Sequence, residues 1–528
     1  MNELIHHFIF DAARRTPGAE ALVHGDRRLD YATLATAVAR VSHGLLALGL
    51  QRGDRVAVYL EKNVENVTAM FGAAMAGCVF VPVNPLLKPE QVAYILADCN
   101  VRVLVTSVER LRLLSAVLHN CPDLHAVVAT GAAEHASAVG GVPVLRWDRA
   151  MTEAPESAPH AAIDADMAAI LYTSGSTGKP KGVVLSHRNM VAGARSVAQY
   201  LGNTADDRIL AVLPLSFDYG LSQLTTAFHA GATAVLINHL LPRDVLNAVV
   251  AERITGLAAV PPLWIQLAPL PWPQDCTLRY FTNSGGAMQR PTLEALMRAL
   301  PAAQPFLMYG LTEAFRSTYL PPSEVARRPG SIGRAIPNAQ VLVLRPDGSE
   351  CDINEPGELV HRGALVSLGY WNDPAKTAER FRPIPAQHDG LPLPELAVWS
   401  GDTVRRDEEG FLYFISRNDE MIKTSGYRVS PTEVEEIVYA RAGVAEAAAI
   451  GAAHPALGQA IVLVAYVGGG AATDSAALLS ALKAHLPGYM VPQKVVVADA
   501  PLPRNPNGKI DRKLLAAQHA DAFTQVTR

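Results

Sequence analysis

Residues 172–182 read YTSGSTGKPKG, and their types fit the binding of a polyphosphate. Gly175, Gly178 and Gly182 can adopt backbone angles closed to other residues. Successive free N–H groups in such a loop form an anion-binding concavity. Thr173, Ser174, Ser176 and Thr177 add hydroxyl donors, and Lys179 and Lys181 add positive charge. A Walker A loop requires G-x-x-x-x-G-K-[ST]. This stretch departs from it at both ends: Pro180 follows Lys179, and Thr173 stands where the first glycine belongs. A flexible Gly/Ser linker is the plain alternative. Two lysines set between two apolar runs count against it.

The elements that hold this loop are legible from the flanking runs. MAAILYT (167–173) and GVVLSH (182–187) are short, apolar and bounded by polar residues, which predicts two buried strands. A helix then starts near Ser186 or Asn189. Upstream, RVAVYL, CVFVPVN and VRVLVTS predict strands with helices between them, and RILAVLPL, ATAVLIN, GLAAVPP and LRYFTNSGG continue the alternation downstream. Such alternation argues for an α/β fold, here with two layered halves meeting near residue 170. Residues 150–165 are rich in Ala, Pro and Glu and predict a surface connection. Between 330 and 420, QVLVLR, GELVHRG and GFLYFIS alternate with turns and predict a small β subdomain. A compact α+β module follows, with a boundary near 416–420. Its first helix opens at Ser430-Pro431-Thr432-Glu433, a capping-box pattern with Pro at the first helical position. Glu435 is expected to face solvent.

The chain has 528 residues, enough for two to four domains. A net charge of −4 gives no electrostatic case for nucleic acid. The five cysteines form no C-x-x-C pair, so neither zinc nor a disulfide framework is indicated. The first residues, MNELIHHFIFDAARR, make no convincing signal peptide. No apolar run approaches the ~20 residues of a membrane helix. These features together lead us to expect a cytoplasmic enzyme.

Several motifs, in order, resemble those of the adenylate-forming (ANL) superfamily: acyl-CoA synthetases, aryl-CoA ligases, luciferases and the adenylation domains of peptide synthetases. They are YTSGSTGKPKG, LPLSFDYGL (213–221), NSGGAM (283–288), YGLTEA (309–314), GELVHRG (357–363), the long run from WSGDTVRR (399) to SPTEVE (435), and NPNGKIDRK (505–513). The resemblance implies an AMP-forming ligase acting in two steps. A carboxylate attacks the α-phosphate of ATP and releases pyrophosphate; a thiol of CoA, or of phosphopantetheine on an acyl carrier protein, then displaces AMP. It implies an N-terminal adenylation domain at 1–418 and a mobile C-terminal domain at 419–528, hinged at Asp419. The loop Thr173–Lys181 (Thr173, Ser174, Gly175, Ser176, Thr177, Gly178, Lys179 and Lys181) would cradle phosphates. Thr312 would bind phosphate and Glu313 would hold Mg²⁺. Gly285, Gly286, Ala287, Tyr309 and Gly310 would border adenine, and Asp402 and Arg417 would hold ribose and phosphate. Lys509 would be the catalytic lysine of the first step; Lys423, Gly426 and Tyr427 would enter for the second. Ser416 stands where the family usually has Gly, a departure at the hinge.

The acyl pocket is implied at Phe217, Asp218, Tyr219, Ser222, Ser284 and Arg316. Fatty and aryl ligases commonly carry Phe-His where this chain has Phe217-Asp218. Amino-acid-adenylating domains place an ammonium-binding aspartate there. A buried unpaired charge is expensive, so Asp218 and Arg316 either pair with each other or with nearby polar groups, or meet a polar substrate, Asp218 its ammonium and Arg316 a second carboxylate. PLSFDYGLSQLTTAF, MYGLTEAFRSTYLPP and MIKTSGYRVSPTEVEE are similar to the acyl-CoA ligases associated with exosortase A systems. The readings that follow are an acyl-CoA ligase, a stand-alone amino-acid-activating enzyme loading a carrier protein, and a non-catalytic nucleotide-binding relative. Retention of Glu313, Asp402 and Lys509 weighs against the third.

Overall fold

The computed structural model describes residues 3–131, 137–173, 179–288, 290–384, 394–417, 421–439, 444–467, 474–504 and 510–523. The run at 167–173 is buried along its middle and pairs with Lys181–Ser186 as an antiparallel hairpin, Lys181 opposite Thr173. Ser186 Oγ accepts the backbone N–H of Asn189 and starts the helix His187–Leu201 where the sequence expects it.

Among the described residues the hairpin closes one edge of an eight-stranded sheet. Its spatial order is Lys181–Ser186, Met167–Thr173, Val79–Pro82, Arg55–Tyr59, Val101–Ser107, Ala126–Thr130, Val142–Arg146, Ala138–Val139. A second sheet has nine strands, in the order Arg334–Ala335, Thr318–Leu320, Gln304–Tyr309, Tyr280–Asn283, Gly256–Ala259, Arg208–Ala211, Thr233–Leu236, Glu20–His24, Arg27–Asp30. The halves therefore do not divide at residue 170 as the sequence suggests. Glu20–His24 lies parallel to Thr233–Leu236, with Leu22 opposite Ala234, so the chain begins in the second layer and then builds the first.

Helices Tyr31–Ala47, Val64–Ala76, His187–Leu201 and Asp218–Ala230 contribute to one core that also takes side chains from both sheets, among them Leu22, Val56 and Ala234. Val64–Ala76 is buried at nearly every position, as a helix between two layers must be.

The expected β subdomain is present. Ala339–Leu344, Gly357–Gly363, Leu396–Arg406 and Phe381–Pro383 form its sheet, and Leu412–Arg417 pairs with Leu396–Arg406. The C-terminal module has its own sheet of Tyr427–Val429, Ile422–Thr424, Gly458–Val467 and Val444–His454, with Lys494–Ala498 parallel to Gly458–Val467.

Two sequence expectations fail at its first helix, Pro431–Tyr439. Ser430 Oγ has no hydrogen-bond partner among the described residues, so the capping box is not made. Glu433 instead accepts a hydrogen bond from Gln91 Nε2 at 2.9 Å, across the junction of the two modules. Glu435 is buried at 4% exposure rather than facing solvent. Its carboxylate pairs with Arg512 at 2.6 Å and accepts the Ala449 N–H at 2.7 Å. No helix among the described residues is long and apolar enough to cross a membrane.

Candidate active site

A cavity of about 1080 Å³ lies where the C-terminal ends of strands from both large sheets meet the C-terminal module. Clefts outside the carboxyl ends of parallel strands are where α/β sheets bind ligands. Thr173, Phe217, Ser284 and Tyr309 line it from the large domain, and Lys423, Gly426 and Tyr427 from the small one.

At one side stands Glu313, 5% exposed, in the short turn Thr312–Ala314. Lys181 Nζ lies 3.2 Å from its Oε1, and Tyr370 Oη donates to the same oxygen at 2.6 Å. Lys181 Nζ also donates to Tyr370 Oη at 2.7 Å. Burial alone raises the Glu313 carboxyl; the Lys181 charge and the Tyr370 hydrogen bond outweigh it and hold the group well below the usual carboxylate range. Burial lowers Lys181 from its ordinary value, opposed by Glu313. The carboxylate is thus kept ionised. Tyr370 is a site residue that sequence reasoning missed. It follows the strand Gly357–Gly363 of the third sheet, and no pattern in GYWND marks it.

The chain reverses sharply after this turn. Phe315 adopts φ 55°, ψ −49° and is fully buried, its ring packed where a Cβ on Gly193 would come within 2.5 Å. Left-handed backbone at a non-glycine residue is strained and persists only when packing dictates it. The reversal sends Glu313 toward Lys181 and Arg316, three residues on, toward Tyr219 and Ser284.

Tyr309 Oη donates to Asp402, which is 1% exposed. Asp402 lies opposite Arg417 in the strand register. Gly285 has φ +79°, and a Cβ there would already touch Val260 Cγ1 at 3.4 Å; Gly286, Ala287, Gly310 and Thr312 line the same cavity. Thr173 Oγ1 is buried with no partner among the described residues. Lys179 Nζ lies 5.9 Å from the Tyr94 ring centroid. Ser174, Gly175, Ser176, Thr177, Gly178, Asp419 and Lys509, all expected at the site, fall outside the described residues.

Phe217, Asp218, Tyr219, Ser284 and Arg316 line the cavity together, as expected. Ser222 does not: it is 1% exposed and faces a separate cavity of about 10 Å³ behind Tyr219 and Arg316. Tyr219 and Arg316 border both cavities, and Ser222, a turn further along Asp218–Ala230, borders only the smaller one. Asp218 and Arg316 form no ion pair within 4 Å among the described residues. Burial raises the Asp218 carboxyl, partly opposed by the Arg316 charge. Lys62, also missed from sequence, is engaged by the carbonyls of Val212 (2.7 Å) and Leu213 (3.4 Å), and burial lowers it to about 8.

The C-terminal module reaches the cavity through the turn between Ile422–Thr424 and Tyr427–Val429. Gly426 has φ +83°, and a Cβ built on it would lie 2.7 Å from Val260 Cγ2. The Tyr427 ring meets Phe217 edge-on at 5.3 Å and stacks on Tyr489 at 3.9 Å. Burial pushes the Tyr427 phenol up to about 12.

Residues 9–371 match the family model described as AMP-binding enzyme, and residues 433–509 match the AMP-binding enzyme C-terminal domain. The chain belongs to the AMP-binding enzyme family. Feruloyl-CoA synthase of an Amycolatopsis species is 33% identical over 94% of this chain and 95% of that protein. L-proline--[L-prolyl-carrier protein] ligase of Streptomyces coelicolor is 34% identical over 93% and 92%. A linear gramicidin synthase of Brevibacillus parabrevis is 32% identical over 97% of this chain, which spans only 10% of that protein. Among solved structures, an o-succinylbenzoate CoA synthetase double mutant from Bacillus subtilis, bound to a product analogue, superposes with a TM-score of 0.84 at 27% identity over 97% of this chain and 98% of the other. ATP-bound MatB from Rhodopseudomonas palustris gives 0.69 at 28% identity, over 99% and 100%.

Proposed function

We propose that this AMP-binding enzyme is an ATP-dependent, AMP-forming acid–thiol ligase. It converts a carboxylate into an acyl-adenylate with release of pyrophosphate, then into a thioester of CoA or of carrier-protein phosphopantetheine. The observation that carries this reading is the ionised Glu313, buried beside Lys181 at the end of the phosphate-loop hairpin, with its neighbour Thr312 on the wall of a cavity large enough for a nucleotide and an acid.

Lys179, Lys181 and the loop Thr173–Gly178 neutralise the phosphates, for which the Thr173 hydroxyl, unpartnered among the described residues, is a ready donor. Asp402 and Arg417 bind the ribose side, and Gly285, Gly286, Ala287, Tyr309 and Gly310 form the adenine wall. A single buried carboxylate next to a phosphate site fits Mg²⁺, which binds through one or two carboxylates plus substrate oxygens. Glu313, with Thr312, would hold that ion, which supplies charge stabilisation at the phosphates. Lys509 bridges the carboxylate and the α-phosphate in the first step.

Leu412–Arg417 belongs to the third sheet and Ile422–Thr424 to the fourth, which supports a hinge at Asp419 between modules 1–418 and 419–528. The packing of Gly426 on Val260, and the better superposition on the product-analogue complex, support a thioester-forming arrangement here. The long stretches around Asp218, Arg316 and Tyr427 support the narrower grouping with exosortase A-associated ligases. Consumption of ATP is the reason to expect the cytoplasm.

A second reading is favoured by Asp218. Its carboxyl borders the cavity with no ion-pair partner among the described residues, which suits a substrate ammonium, and the prolyl-carrier protein ligase is a relative matched over nearly its full length. ATP–pyrophosphate exchange without thiol, over fatty, aryl, amino and dicarboxylic acids, tests both readings. Exchange that disappears in Lys509→Ala supports the ligase; amino-acid exchange lost in Asp218→Ala supports the second reading. A protein that binds ATP yet exchanges pyrophosphate with no acid would refute both.

A further inference from the structure

Arg316 is among the largest fully buried side chains of the molecule, at 2% exposure. A guanidinium keeps its charge in proteins, and a buried charge needs an opposite charge or is strongly destabilising. No ion pair within 4 Å among the described residues involves it. Its one hydrogen bond among them is long, from Nη1 to Ser284 Oγ at 3.4 Å. Its planar face lies 4.7 Å from the Tyr219 ring centroid, which stabilises a cation without neutralising it. Nε and Nη2 have no partner among the described residues.

Arg316 borders two spaces. Nη1 lies beside Ser284 Oγ and 3.4 Å from where a Cβ on Gly310 would be, and both residues line the large cavity. Arg316 also borders the cavity of about 10 Å³, which Thr226 lines too, with an Oγ1 that has no partner among the described residues. That volume holds one water, which supplies hydrogen bonds and no charge. Lys62, another cation near the cavity, has two carbonyl acceptors and a lowered affinity for its proton. Arg316 has only the long bond to Ser284 among the described residues, and Asp218, whose carboxyl its charge holds down, lies beyond ion-pair distance.

We infer that Arg316 is a specificity-determining residue, and that the acid activated here carries a second carboxylate that docks on the Nη1 edge of Arg316 beside Ser284. A carboxylate fits because the guanidinium fork is built for planar, paired oxygens. The inference rests on the ligase reading and names the substrate class of the same cavity. It holds whether or not the acid also carries an ammonium for Asp218.

The test is pyrophosphate exchange with matched acids of equal chain length, in four types: plain monocarboxylic, α-amino monocarboxylic, dicarboxylic and α-amino dicarboxylic. Valerate, norvaline, glutarate and glutamate form one such set, with the next shorter and longer sets beside it. The distal carboxylate should raise kcat/KM by about a hundredfold or more in the best-fitting set, since a site built for a polar group rejects the analogue without it. Arg316→Met should abolish that preference while exchange with the monocarboxylic partner persists or rises. Arg316→Lys should retain part of it. Circular dichroism and ATP binding of each variant establish that it is folded.

Equal or better exchange with the monocarboxylic partner in every set overturns the inference and leaves the ligase standing. A loss in Arg316→Met that is equal for all acids also overturns it, because Arg316 then serves the reacting carboxylate common to them. Absence of exchange with any acid overturns the ligase reading, and the inference with it.

Discussion

Replacing Gly426 with alanine should separate the two half-reactions. At φ +83° the residue is strained as alanine, by about 1–2 kcal/mol, wherever the C-terminal module sits. That cost belongs to the local turn and cancels between arrangements. The contact with Val260 does not cancel. An alanine Cβ would lie 2.7 Å from Val260 Cγ2, too close for that methyl to stay, and 3.1 Å from Val260 Cβ, which a shift of a few tenths of an ångström relieves. Overpacking of this kind costs about 1–3 kcal/mol, and only in the arrangement described here. The thioester step should therefore slow by roughly 5- to 150-fold, with pyrophosphate exchange changed several-fold less. Single-turnover transfer from preformed acyl-adenylate to the thiol reads the first number, and exchange without thiol reads the second. Val260→Ala removes both γ-methyls, so the double variant should recover most of the transfer rate. Equal losses in both half-reactions, or no rescue by Val260→Ala, would refute the reasoning.

Two further outcomes follow from buried charges. Glu435→Ala leaves Arg512 without this carboxylate in a partly buried site and the Ala449 N–H without its acceptor; the C-terminal module should lose about 2–3 kcal/mol, measured by urea denaturation of the intact protein followed by a probe in that module. His361 is fully buried, and burial lowers it from 6.5 to about 4. In the native state it stays neutral while the unfolded chain takes up a proton below pH 6.5, so stability is intact above that value and falls as the pH drops toward 4. Between pH 7 and 5 this one group should cost about 2 kcal/mol. His361→Gln should flatten that part of the stability–pH curve, and an unchanged slope would count against the assignment.

Local chemistry made much of the fold readable. The loop at 172–182 sits between two strands because both flanking runs are apolar, and Ser186 caps the next helix because its hydroxyl suits that place. What failed depended on distant partners. Glu435 looked like a surface residue on a short helix; its partner Arg512 is 77 residues further along. The Ser430 cap was a sound local pattern, and Glu433 was drawn to Gln91, 342 residues away, instead. Ser222 carried the family position of a pocket residue but points behind it. Tyr370 and Lys62 bind neighbours that no spacing reveals. Arg316 and Asp218 were visible as charges in a pocket, whereas the absence of an ion pair between them is a matter of geometry.

The strand Glu20–His24 has a consequence for how the chain is made. Its parallel partner begins at Thr233, and the Thr233 hydroxyl bonds Glu20 across 213 residues of sequence. Emerging from a ribosome at ~5–20 residues per second, the first strand waits roughly 10–40 s for that partner. Throughout that interval the hairpin it forms with Arg27–Asp30 has an open edge of the kind that recruits other strands. The nine-stranded layer cannot close in the order in which it is synthesised: the whole eight-stranded sheet, residues 55–186, comes off the ribosome while the chain's own beginning is still unmoored. Nascent copies should therefore depend on holding factors most acutely before about residue 236 has cleared the exit tunnel, and fragments ending short of that strand should aggregate rather than fold.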